Sequence, residues 1–76
     1  MSVVFDFSKL KGLIREHCGS QAVFAEKIGI SATSLYDRLG NRVPFDTVEI
    51  DRAMKLFGLP DTAINEIFFV KKYGKP

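Results

Sequence analysis

The sequence predicts an all-α fold, a compact bundle of four to five short helices, and two observations carry that prediction. Apolar residues recur at spacings of three and four along most of the chain, and each such run has a capping residue before it and a glycine or turn pair after it. At 76 residues the chain makes one domain, 1–76, near the size below which folds often need a disulfide or a metal. Cys18 is the single cysteine, so no intramolecular disulfide forms, and its neighbour His17 points elsewhere on a helix, which leaves no metal-ligand spacing. An apolar content of 46% supplies a core in place of such staples.

The elements follow in order. Asp6 is placed to cap a first helix in which Phe7, Leu10, Ile14 and Cys18 share one face while Lys9, Lys11, Arg15 and Glu16 face water. Gly19 ends it. Ser20 caps a second helix with Phe24, Ala25 and Ile28 inward, and Gly29 is its left-handed C-terminal residue. Ser31 caps a third helix with Leu35 and Leu39 inward, which stops at Gly40 and Asn41, both residue types that tolerate positive φ. Val43 and Pro44 read as extended chain. The segment DTVE, residues 46–49, has capping-box spacing and opens a fourth helix whose inner face is Ile50, Ala53, Met54 and Phe57, ended by Gly58. A last short helix is expected at about 61–66, with Ile64 and Ile67 inward.

Gly29 carries the functional argument. A glycine inside a helical pattern costs about 1 kcal/mol relative to alanine, yet the pattern restarts at Ser31. Breaking the helix at Gly29 joins helices two and three by a turn of three or four residues, with Ile30 between them and the small Ala25 allowing close packing. That is a helix-turn-helix at about 20–41. Its use is to hold the third helix clear of the body, so that it enters a DNA major groove about 12 Å wide.

With Gln21, Phe24, Ala25, Ile28, Gly29, Ile30 and Leu35 in these places, the sequence resembles the lambda-repressor-like helix-turn-helix domains, the Cro and repressor class of phage and bacterial regulators. The runs FDFSKLKGLI, FDTVEIDRAMKLFGLP and EIFFVKK extend the resemblance to small phage-encoded regulators over nearly the whole chain. The resemblance implies a sequence-specific transcriptional regulator that inserts helix 32–40 into an operator and binds double-stranded DNA, as a homodimer where the operator is pseudo-palindromic. Ala32, Thr33, Ser34, Asp37 and Arg38 then hold the base-contact positions, and Gln21, Tyr36, Asn41 and Arg42 the phosphate-contact positions. The same resemblance admits an antirepressor or modulator that binds a partner repressor protein. Asp37, which repels phosphates, and a net charge of only +2, with a pI near 8.9, argue for the modulator. Gln21, Arg38, Asn41 and Arg42 argue for the DNA reader.

One position departs from the family pattern. Three places after Leu35 the class carries a core apolar residue, whereas here that place is Arg38 and the apolar residue is Leu39. At about 100° per residue, Leu35 and Leu39 lie about 40° apart, which centres the opposite face near Thr33 and Asp37 and suggests a helix rotated relative to its relatives.

Other functions find no support. There is no Ser/His/Asp set and no phosphate-cradling glycine loop, so neither an enzyme nor a cofactor is expected. With no signal peptide, no run of about twenty apolar residues and no lipidation motif, a cytoplasmic protein with no membrane role is expected, in a bacterial host if phage-encoded. Lys71, Lys72 and Lys75 read as a solvated tail, with a path along DNA as the alternative. SVVFDF and IFFVKKY, at the two ends, have strand-like composition. They are expected to pair as a small two-stranded ribbon, residues 3–5 against 68–70, or else to supply a contact to a second chain.

Overall fold

Three side-chain caps set the frame, each at the place its residue type predicts. In the computed structural model, which describes residues 3–72, Ser20 Oγ accepts the Val23 N–H and opens α2, Gln21–Ile28. Ser31 Oγ accepts the Ser34 N–H and opens α3, Ala32–Leu39. Asp46 opens α4, Thr47–Phe57, with both halves of the capping box made: its carboxylate accepts the Glu49 N–H at 2.8 Å, and its own N–H donates to Glu49 Oε1 at 3.1 Å. Each such cap satisfies a donor that the first turn leaves free, and losing one costs about 1 kcal/mol.

The first helix begins two residues after its expected cap. α1 spans Ser8–Cys18 with Phe7 at the N-cap position, because the Phe7 ring is buried in the core; Asp6 acts from one residue farther out, its Oδ1 accepting both the N–H and the hydroxyl of Ser8. Those bonds, the hydroxyl first and then the backbone N–H, hold the exposed Asp6 carboxyl below its ordinary pKa of 3.8.

Gly29 ends α2 at φ 82°, with the Ile30 N–H on the Ala25 carbonyl and the Gly29 N–H on that of Glu26. This crossed pair of bonds turns the chain in three residues. Arg52 of α4 donates to the Ile28 carbonyl at 3.1 Å, and a Cβ on Gly29 would lie 2.6 Å from its Nη1. The glycine therefore serves both the left-handed turn and the approach of a cation to the open end of α2. At the end of α3 the two turn residues divide the work unequally. Asn41 takes positive φ, at 63°, whereas Gly40 stays at −85°.

After Gly58 and Pro60, a 3₁₀ turn, Asp61–Ala63, runs into α5, Ile64–Phe68. The last helix thus reaches two residues beyond its expected end, because Phe68, 1% exposed, is a core side chain. Phe24 stacks on Phe57 at 5.6 Å, and Leu10, Ile14, Ile28, Leu35, Met54 and Ile67 close around them. Among the described residues, no helix is long and apolar enough to cross a membrane.

The expected ribbon is a single antiparallel bridge, Phe5 to Lys71, and no strand forms among the described residues. Asp6 donates to the Val70 carbonyl and Lys72 to that of Val4, each at 2.7 Å. The register is shifted from the expected one because α5 claims Phe68 and leaves only residues after Phe69 to pair. Lys71 and Lys72 are exposed; Lys75 lies outside the described residues.

Candidate functional site

The nine residues expected to meet DNA gather around α3, but they stand in three different situations. Ala32, Thr33 and Tyr36 face solvent, Tyr36 at 70% exposure. Ser34 is half-buried, and its Oγ accepts the Ser31 hydroxyl at 2.9 Å, so it belongs to the cap of its own helix. Asp37 and Arg42 form an exposed ion pair at 3.4 Å, a class of contact that contributes about 0–1 kcal/mol. Gln21, the first residue of α2, is half-buried beside Tyr36, Leu39 and Arg42, with which it lines a groove.

Arg38 and Asn41 are engaged in holding the structure together. Arg38 Nε donates to Glu49 Oε1 at 2.7 Å and Nη1 to the Ser34 carbonyl at 2.9 Å, with the two charged side chains only 16% and 6% exposed. The Glu49 hydrogen bond, ahead of the opposing effect of burial, raises the Arg38 pKa. Here lies the physical meaning of the departure seen in the sequence. The position where the resemblance leads one to expect a core apolar residue still points inward, and the cation there is met by the capping-box glutamate of the next helix. Leu39 is half-buried beside it. Asn41, on its left-handed backbone, bonds both polar groups of one peptide residue: its Oδ1 accepts the Phe5 N–H at 2.8 Å and its Nδ2 donates to the Phe5 carbonyl at 3.1 Å.

Glu49 and Phe5 were not among the expected site residues. Nothing local marks them, since Glu49 reads as a helix cap and its second partner is eleven residues away, while Phe5 and Asn41 are 36 residues apart.

Past the Arg38–Glu49 pair the surface turns apolar. Val3, Val43 and Phe69 are exposed around a recess of about 180 Å³ whose lining includes Phe5, Pro44 and Arg38. That is more than ten times the ~10–15 Å³ that a single water needs. Phe69 also walls a second hollow, between α4 and the last turns, lined by Ile50 and Ile64. Clustered exposed apolar side chains on so small a domain are characteristic of protein contact surfaces.

Comparisons with known proteins agree on a relationship across most of the chain. The model of a family described as "Protein of unknown function (DUF739)" matches residues 3–71. Among solved structures, the chain is similar to the modulator of repression (MOR) of the temperate bacteriophage TP901-1 from Lactococcus lactis, determined in solution. The two share 34% sequence identity, with a TM-score of 0.75, over 86% of this chain and 88% of that one. No curated protein matches the chain.

Proposed function

The chain belongs to the DUF739 family, and from that premise we propose that it is a phage modulator of repression that acts by binding a partner repressor protein. The observation that carries this reading is the position of Arg38. As the long cation on the helix that would enter a groove, it is the side chain best suited to bidentate recognition of guanine, and it is instead spent on Glu49 at 2.7 Å inside the fold. The fully exposed side chains of α3, Ala32, Thr33 and Tyr36, carry no charge, and the charge of Arg42 beyond them is shared with Asp37. The structural relative's description as a modulator of repression and the apolar recess around Phe69 support the same reading.

Operator binding is the second reading, favoured by the exposure of Thr33 and Tyr36 and by Gln21 at the start of α2. In it, Ala32, Thr33, Ser34, Asp37 and Arg38 meet base edges, Gln21, Tyr36, Asn41 and Arg42 meet phosphates, and Arg38 must leave Glu49 to do so.

The two readings separate in one binding experiment. Titrated with the repressor of the same phage, the modulator binds it in a stable complex. Titrated with operator and random DNA across a salt series, it shows no preference between them, with dissociation constants in the non-specific range of about 10⁻⁴–10⁻⁶ M. Operator affinity about a thousandfold above that for random DNA, with no repressor complex, refutes the proposal.

A further inference from the structure

Five phenylalanines line the recess beside Arg38, and their rings form one continuous run. Phe69 meets Phe5 edge-on at 5.6 Å, Phe5 lies 6.3 Å from Phe7, Phe7 meets Phe45 edge-on at 5.5 Å, and Phe45 meets Phe68 edge-on at 5.1 Å. Phe7 and Phe68 are buried and form the floor, Phe5 and Phe45 are half-buried, and the exposed Phe69, Val3 and Val43 make the lip. Asn41, which also lines the recess, holds both polar groups of the Phe5 backbone, so that wall is fixed before anything binds. The recess is more enclosed than the hollows beside Gln21 or Ile64. Its size selects a single ring. An apolar cavity of about 150 Å³ is large enough to bind benzene, and this recess holds about 180 Å³, whereas sites for free small molecules run to about 300–1,000 Å³. An aromatic ring also suits the lining better than an aliphatic side chain, because it extends the edge-to-face run where an aliphatic group gains only burial.

We propose that the recess takes one aromatic side chain of the partner repressor, as the anchor of its contact with this chain. The proposal deepens the modulator reading and rests on it for the identity of the partner. A polypeptide suits the recess for a reason beyond size. A lone ring leaves Val3, Val43 and Phe69 at the lip in water, whereas the chain that carries the ring covers them. An aromatic side chain in a pocket, surrounded by contacts that exclude water, is the arrangement that carries most of the energy at protein interfaces. A flipped nucleobase is also ring-sized, but stacking sites for nucleic acid set free cations beside the rings. Here the cation in the lining, among the described residues, is Arg38, which is spent on Glu49, and neither Lys71 nor Lys72 lines the recess.

The test uses the full chain, labelled with ¹³C and ¹⁵N, and unlabelled probes: the phage repressor, N-acetylphenylalaninamide, its leucine counterpart, and a random-sequence DNA duplex. In the repressor complex, isotope-filtered NOE spectra are expected to connect the methyls of Val3 and Val43 to aromatic protons of the repressor. N-acetylphenylalaninamide alone is expected to shift the amides of Val43, Phe45 and Phe69 saturably, and to bind about threefold more tightly than the leucine counterpart. Val43→Asp, which places a charge at the exposed lip, is expected to weaken the repressor by about tenfold or more. Val48→Asp, at an exposed valine outside the recess, is expected to leave it nearly unchanged, and equal losses at the two positions overturn the anchor. Should Val43→Asp fail to fold, Val3→Asp decides, with a loss of about threefold or more expected. A repressor that binds while those methyls meet no aromatic proton from it overturns the anchor and leaves the modulator function intact. So does a ring from elsewhere in this chain, or from a second copy, found against the same methyls in the complex. A duplex that shifts the same amides at lower concentration than N-acetylphenylalaninamide overturns the proposal in favour of nucleic acid. If wild type binds no repressor, the functional reading fails, and the N-acetylphenylalaninamide titration alone decides the recess: saturable shifts uphold a ring site, and their absence overturns it.

Discussion

Replacing Arg38 and Glu49 singly and together tests whether their pair is the element that joins α3 to α4. Each side chain is too buried to be rehydrated in place, at 16% and 6% exposure. Removing one member of a fully buried pair costs about 3–5 kcal/mol because the survivor is left charged and unpartnered. Here the cost is smaller. After Glu49→Gln, Arg38 still donates to the Ser34 carbonyl, and after Arg38→Met, Glu49 still accepts the Asp46 N–H. About 2 kcal/mol for each single substitution is expected, a fall in melting temperature of roughly 8–16 °C for a domain of this size. The double variant puts an apolar residue at this inward-pointing position and keeps an acceptor for the capping box, so about 1 kcal/mol is expected in place of the sum of about 4. The resulting coupling of about 3 kcal/mol is at the upper end for directly contacting groups. Urea unfolding followed by circular dichroism at neutral pH, with unchanged denaturant slope, measures all three. Additive losses, or single losses below about 0.5 kcal/mol, would refute the claim that the pair is mutually dependent. The same Arg38→Met variant should keep its repressor affinity within twofold, whereas a DNA reader would lose base discrimination.

Two further outcomes follow from the turns. Gly29→Ala forces a side chain into the left-handed region and against Arg52, 2.6 Å away, and should cost roughly 1–2 kcal/mol, read as a lower urea midpoint; a midpoint equal to wild type would show that the turn relaxes freely. Asp6, whose folded pKa is depressed by Ser8, contributes stability that is present above its ordinary value of 3.8 and is lost as pH falls through the lower folded value. The stability gap between wild type and Asp6→Asn should therefore close as pH falls through that window, and a gap independent of pH would sink the assignment.

What was legible in the sequence is what is decided within four or five residues. Ser20, Ser31 and Asp46 cap, and Gly19, Gly29 and Gly58 stop, because the chemistry of a helix end is local. The inner faces from Leu10 to Met54 followed from periodicity for the same reason. Phe68 was misplaced because β propensity is a weak preference, overridden when a ring of that size can be fully buried. At the candidate site the limit was sharper. Residue type alone makes Arg38 a base reader and Asn41 a phosphate contact, and only their distant partners, Glu49 and Phe5, turn them inward. The apolar recess draws its walls from both ends of the chain and the segment after α3, so no window of sequence displays it.

The amide of Asn41 bears on whether a second chain can add to the extended segment at Phe5. A lone extended segment with valines at its surface, such as Val3 and Val4 beside Phe5, is the kind of template on which a second chain can add a strand and begin a fibril. One side of that segment is already taken by the residues around Lys71. On the other side, the Phe5 N–H and carbonyl that an incoming strand would need are both occupied by a single side chain, which has the donor and acceptor of a peptide group but no chain to continue the ladder. Asn41 thus closes the free side of the bridge at Phe5, where an added strand would have to displace both of its hydrogen bonds.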